Sequence, residues 1–140
     1  MKYWDTSAIV SVLIKDNSTA ALRALRDEDP DQLVWCLTPV EIASALARRA
    51  REGLPADQEK AVRSAWSVLS ERWEEVGAIE LVRSRALRLL STHPIRAGDA
   101  LQLAAALIAC EERPELLPFV CLDDRLRDAA RREGFPVLPS

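Results

Sequence analysis

The sequence predicts an α/β fold in which one mainly parallel sheet is covered by helices. Short apolar runs of strand length alternate along the chain with segments of helical periodicity. Neither an internal repeat nor a long polar linker interrupts that alternation. With 140 residues, 49 % hydrophobic and 29 % charged, the chain can bury a sizeable core without disulfides. A single domain over residues 1–140 is expected.

Lys2–Trp4 is a short strand candidate, and Asp5-Thr6-Ser7 opens an apolar stretch, Ala8–Ile14, long enough for a helix. Thr19–Arg26 predicts a second short helix, and after the turn-rich Asp27–Asp31 the uninterrupted run Leu33–Leu37 fits a buried parallel strand. Thr38-Pro39-Val40-Glu41 reads as a helix start, with Thr38 as N-cap, Pro39 in the first turn and Glu41 completing a capping box; Gly53 closes that helix. Pro55–Glu75 carries Val62, Trp66, Leu69 and Trp73 at three- and four-residue spacing, an amphipathic helix with an aromatic stripe, although Trp73–Val76 also fits a brief strand. Helical periodicity resumes over Ala78–Leu90. Pro94–Asp99 leads into Ala100–Glu111, apolar nearly all round and therefore central. Phe119–Leu122 is a buried strand, Asp123 begins a helix that ends at Gly134, and Val137 and Leu138 form a last short strand.

Composition removes several classes of function. The three cysteines, Cys36, Cys110 and Cys121, lie singly in apolar runs without metal-ligand spacing, and read as reduced core residues. One histidine, His93, cannot build a histidine metal cluster. The chargeless stretch Ala100–Cys110 is far shorter than the ~20 residues that cross a bilayer, so no membrane association is expected. The amino-terminal residues lack the pattern of a secretory signal, which leaves the cytoplasm as the expected location. A net charge of −3 gives the whole molecule no attraction for nucleic acid. Locally, Arg48, Arg49 and Arg51, and Arg125, Arg127, Arg131 and Arg132, follow two acidic positions, either as solvated helix faces or as phosphate contacts.

Asp5, Glu41, Asp99 and Asp123 each fall where a short run hands over to a helix. Any one of them suits a helix N-terminus, where the macrodipole favours a negative charge and backbone N–H groups need acceptors. Together they have a second reading. Helix starts at the carboxyl edge of a parallel sheet converge on one crevice. Carboxylates gathered there repel one another unless a cation joins them, and hard divalent ions prefer oxygen ligands. That chemistry suits hydrolysis of phosphate esters.

Four segments carry a resemblance: Tyr3-Trp4-Asp5-Thr6-Ser7-Ala8-Ile9-Val10, Thr38-Pro39-Val40-Glu41-Ile42-Ala43-Ser44-Ala45-Leu46, Ile95-Arg96-Ala97-Gly98-Asp99-Ala100-Leu101-Gln102-Leu103-Ala104, and Val120-Cys121-Leu122-Asp123-Asp124-Arg125-Leu126. In this order the chain resembles a PIN-domain ribonuclease of the VapC type, the toxin half of a toxin–antitoxin pair. The resemblance implies a three-layer α/β/α fold and a metal-dependent endoribonuclease. Asp5, Glu41, Asp99 and Asp123 would be catalytic and would hold Mg2+ or Mn2+. RNA would be the substrate, a VapB-type antitoxin the inhibitor, and a homodimer the assembly.

Cys121 departs from the family pattern, which places Ser or Thr two residues before the last acid. Asp124 offers a second carboxylate there, Asp123 being preferred for its spacing to Leu126, and Ser7 is a candidate helper through its hydroxyl. Two other readings stay open: a PIN-like protein-binding module with impaired catalysis, and a DNA-directed nuclease of the same fold. Aspartyl-phosphate chemistry fits poorly, because the dehalogenase-type pattern wants Asp where Ser7 stands. A receiver domain wants a late lysine, yet the lysines are Lys2, Lys15 and Lys60.

Overall fold

A computed structural model describes residues 1–140. Five strands, β1 (Lys2–Trp4), β2 (Gln32–Trp35), β3 (Trp73–Val76), β4 (Phe119–Val120) and β5 (Val137–Leu138), form one sheet in the order β3-β2-β1-β4-β5. Every neighbouring pair is parallel. The connections hold seven helices: α1 (Thr6–Leu13), α2 (Thr19–Glu28), α3 (Thr38–Arg51), α4 (Ala56–Ser70), α5 (Ile79–Leu90), α6 (Ala97–Ala109) and α7 (Asp124–Glu133). None is long and apolar enough to cross a membrane.

The period of two along each strand makes the three layers. Trp4, Val34 and Val120 point to one face, where Ile9, Leu22, Ile42, Leu46 and Val62 from α1–α4 cover them. Tyr3, Leu33, Trp35 and Phe119 point to the other, against Val82, Leu89, Leu103, Leu107 and Leu126 from α5–α7. The rings of Tyr3 and Phe119, paired in register across β1 and β4, stack with centroids 5.2 Å apart. This is the expected α/β/α fold, with α6 central as its composition required. Its alanines Ala100, Ala104, Ala105 and Ala106 are fully buried, so the helix backbone lies close to the sheet.

Strand order determines where a cleft can open. From β1 the chain steps outward through β2 to β3 on one side, then returns to build β4 and β5 on the other side of β1. Connections leaving β1 and β4 therefore diverge over opposite faces, and a crevice opens at their carboxyl ends.

Local structure corrects four details. The capping box at Thr38 does not form: Leu37 occupies the N-cap position, without a side-chain cap, and Thr38 is fully buried. Thr38 is the first helical residue rather than the cap, and its hydroxyl accepts from Gln102 of α6. The run Leu33–Leu37 ends its ladder early, because the Leu37 carbonyl already accepts from Val40 and Glu41 and begins α3. Trp73 belongs to β3, and with Trp66 it packs beside buried Val62 and Leu69, so the aromatic stripe serves the core. Cys36 and Cys110 are only partly buried; all three cysteines are free thiols. Gly53 and Gly134 end α3 and α7 as predicted, with φ of +104° and +105°, a backbone region that side chains disfavour.

Candidate active site

Asp5 leaves β1 and caps α1, Asp123 follows β4 and caps α7, and Glu41 and Asp99 lie in the first turns of α3 and α6. The structure brings all four to the lining of one cavity of about 670 Å³ at the carboxyl edge of the sheet. Thr6, Ser7, Arg48 and Arg49 line it too.

Asp5 is the most enclosed of the four, at 5 % exposure. Its Oδ2 accepts from the Ser7 hydroxyl at 2.5 Å, the Ser7 backbone N–H at 3.1 Å and the Cys121 thiol at 3.5 Å. Burial pushes its carboxyl up to about 6, the Ser7 bonds restrain the rise, and the charge of Glu41 adds to it. Burial also holds the Cys121 thiol protonated, well above its ordinary range, so Cys121 remains a donor. A hydrogen-bond donor thus survives where the family pattern has a hydroxyl. Ser7 in turn accepts the Leu122 N–H at 3.1 Å, tying the ends of β1 and β4 together.

A buried network that sequence reading missed holds Glu41. Gln102, 1 % exposed on α6, shares the two N–H groups of Nε2 among three acceptors, Glu41 Oε1 at 2.6 Å and the hydroxyls of Thr6 at 3.0 Å and Thr38 at 3.2 Å. Its Oε1 accepts from the Tyr3 hydroxyl at 2.6 Å. The amide orientation follows from chemistry: burial keeps Tyr3 a neutral phenol that can donate, whereas an ionised Glu41 can only accept. Thr6 adds a second donor to Glu41 Oε1 at 3.2 Å. Burial, followed by the charge of Asp99, outweighs these donors and raises the Glu41 carboxyl. One polar residue inside the otherwise apolar face of α6 was the available signal.

Asp99 is raised by burial and then by the charge of Asp123, against the pull of Arg96 and Arg125. Asp123 is exposed, and its Oδ1 accepts the Leu126 N–H at 3.0 Å. A second cavity, of about 380 Å³, shares Asp99 and Asp123 with the first and adds Arg96, Asp124 and Arg125. Asp124 lines only this smaller cavity, which separates the tandem acids by position. Among the other basic residues of these segments, Arg127 is structural, donating to the carbonyls of Cys121 and Pro139, each at 2.6 Å.

No three His, Cys, Asp or Glu side chains converge tightly enough to hold an ion by themselves. The donors nevertheless fit a hard cation, since all are carboxylate or hydroxyl oxygens.

The burial of Asp5 gives a pH dependence. Its folded carboxyl titrates near 6, above the ordinary 3.8, so between those values the folded state binds more protons than the unfolded state. Stability of the chelator-treated protein is expected to fall as pH rises through that window, by about 3 kcal/mol from this group. Urea unfolding at pH 4.5 and 7 in chelator, an interval that contains about 2 kcal/mol of this change, checks it. An Asp5→Asn variant should lose this component, and an unchanged dependence in that variant would assign it elsewhere.

The fold and site together define an α/β/α domain with an acidic cavity at its topological switch point. The family model of the PIN domain matches residues 2–132, so the chain belongs to the PIN-domain family. Within that family it is similar to the Mycobacterium tuberculosis proteins Ribonuclease VapC47 and Ribonuclease VapC45, both of strain CDC 1551 / Oshkosh. Identity to the first is 30 % over 139 residues, covering 96 % of this chain and 93 % of that protein. Identity to the second is 31 % over 141 residues, covering 99 % and 94 %. Ribonuclease VapC49 of strain ATCC 25618 / H37Rv matches at 31 % over 141 residues, with the same coverage. The resemblance to VapC-type PIN domains is therefore borne out along nearly the whole chain.

Proposed function

We propose that this protein is a metal-dependent endoribonuclease toxin that hydrolyses RNA phosphodiester bonds and is neutralised by a cognate VapB-type antitoxin. The observation that carries this reading is the cavity lined by Asp5, Glu41, Asp99 and Asp123, in a chain similar end to end to proteins named ribonucleases. On this reading residues 1–140 act as one PIN domain, as a homodimer, in the cytoplasm.

Asp5, Glu41, Asp99 and Asp123 would hold Mg2+ or Mn2+. When bound, the ion supplies Lewis acidity towards phosphoryl oxygens and lowers the pKa of a coordinated water. The chain itself supplies orientation. Ser7 and Cys121 fix the Asp5 carboxylate, and Gln102 and Thr6 occupy Oε1 of Glu41. No covalent nucleophile is needed.

Cleavage of single-stranded RNA by purified protein in metal-titrated buffer, with single-stranded DNA in parallel, tests the reading. RNA cleavage that needs added metal supports it, and preferential cleavage of DNA would transfer the activity to the other nucleic acid. Folded protein that cleaves neither would leave a protein-binding module. Light scattering reads the homodimer. Co-expression with the small open reading frame beside the gene should relieve growth arrest and co-purify a complex, and arrest that persists despite its expression would remove the antitoxin from the proposal.

The tandem acids provide a sharper test of the site. Asp123→Asn should abolish turnover while keeping the helix, because asparagine caps as well as aspartate. Asp124→Asn should only weaken turnover, since Asp124 lines the smaller cavity alone. Equal and near-complete losses in both variants would show that the two share one role.

A further inference from the structure

The arginines divide into those with partners and those without. Arg26, Arg63 and Arg132 are each in an ion pair, and Arg85 spans Glu112 and Glu133. The side chains of the exposed residues Arg48, Arg49, Arg96 and Arg125 make neither an ion pair nor a hydrogen bond, although carboxylates line the same cavities. Their placement is paired. Arg48 and Arg49, at the end of α3, line the larger cavity, and Arg96 and Arg125, at the starts of α6 and α7, line the smaller one. Asp99 and Asp123 are the wall common to both.

A polyanion approaching this centre meets a protein of net charge −3 and a cavity rich in carboxylates. Long-range attraction is absent, so cationic groups beside the site must supply it. Unpaired guanidinium groups are suited to this, because their planar donors match phosphate oxygens and no existing ion pair has to break. When one phosphodiester lies over the shared acidic wall, the strand continues away on both sides, into the two cavities that these arginines line.

We propose that Arg48 with Arg49, and Arg96 with Arg125, form two phosphate subsites that grip the nucleic-acid backbone on opposite sides of the scissile phosphodiester. This rests on the nuclease reading above and extends it to the substrate's path. Arg51 and Arg131 are equally exposed and unpaired but line neither cavity, so they are internal controls.

The test uses full-length double variants, Arg48→Gln/Arg49→Gln, Arg96→Gln/Arg125→Gln and the control Arg51→Gln/Arg131→Gln. Affinity for a single-stranded oligoribonucleotide is measured by fluorescence anisotropy in Ca2+ across a salt series, and cleavage in Mg2+. Each subsite variant is expected to bind about tenfold or more weakly, with a salt slope shallower by about 0.7 for each phosphate that is no longer neutralised. Its kcat/KM should fall in parallel, while the control and all melting temperatures stay at wild-type values. Cleavage by wild type with both subsite variants matching the control would overturn the subsites and leave the nuclease reading intact. Loss confined to one pair would overturn the two-sided path. A folded wild-type protein that neither binds nor cleaves RNA or single-stranded DNA would overturn the nuclease reading and the subsites together.

Discussion

Asp99→Asn is expected to lower metal-supported RNA cleavage by more than about a hundredfold while leaving the fold intact, because it deletes a ligand charge without changing volume. The structure adds a sign for stability. Asp99 is half-buried, and burial together with Asp123 already disfavours its charge. The neutral amide should therefore keep or raise the melting temperature of chelator-treated protein while removing the stabilisation that Mg2+ or Mn2+ gives the wild type. Thermal melting with and without metal, alongside cleavage, reads both effects. Wild-type cleavage by a folded Asp99→Asn protein would remove Asp99 from the site.

Gln102→Leu is expected to damage stability and activity together. Leucine fits the volume, but the fully buried Tyr3 hydroxyl loses its acceptor and Glu41 loses its closest donor. An unsatisfied buried polar group costs about 1–3 kcal/mol, which in a chain of this size lowers Tm by several degrees. With its donor gone, the Glu41 carboxyl should rise further, and more metal should be needed to reach half-maximal activity, by about 10- to 100-fold. Glu41→Gln separates the two effects: a glutamine oxygen can still accept from Gln102 and Thr6, so the fold should hold while cleavage is lost. Thr38→Ala removes one acceptor from Gln102 and no helix cap, and should leave cleavage largely intact. A Gln102→Leu protein with wild-type Tm and metal dependence would show that the network contributes nothing.

The alternating strand and helix pattern was legible because the three central strands β1, β2 and β4 are buried on both faces and read as nearly unbroken apolar runs, while the helices around them keep a period near 3.6. The acidic positions were legible because each stands at a junction between elements, where a carboxylate either caps or converges. Thr38 shows the limit. Its local sequence satisfies every rule for a capping box, yet α3 takes Leu37 as its N-cap and the Thr38 hydroxyl faces a glutamine distant in sequence. Local chemistry proposes the bond, and tertiary packing supplies a competing partner that no spacing rule contains.

Gln102 and Cys121 show the same limit from the other side. Within α6 a lone glutamine reads as a polar interruption, and Cys121 reads as the loss of a hydroxyl. Packed together, the glutamine links Tyr3 to Glu41, and the protonated thiol donates to Asp5. By itself the sequence determined the layers, the order of the elements and the four acidic positions, because these depend on periodicity and on junctions close along the chain. Only the tertiary structure decided which oxygen each donor serves, which acid of the Asp123-Asp124 pair reaches the larger cavity, and which arginines remain unpaired. Those outcomes depend on distances of a few ångströms between residues far apart in sequence, and strand order, which no local pattern encodes, sets those distances.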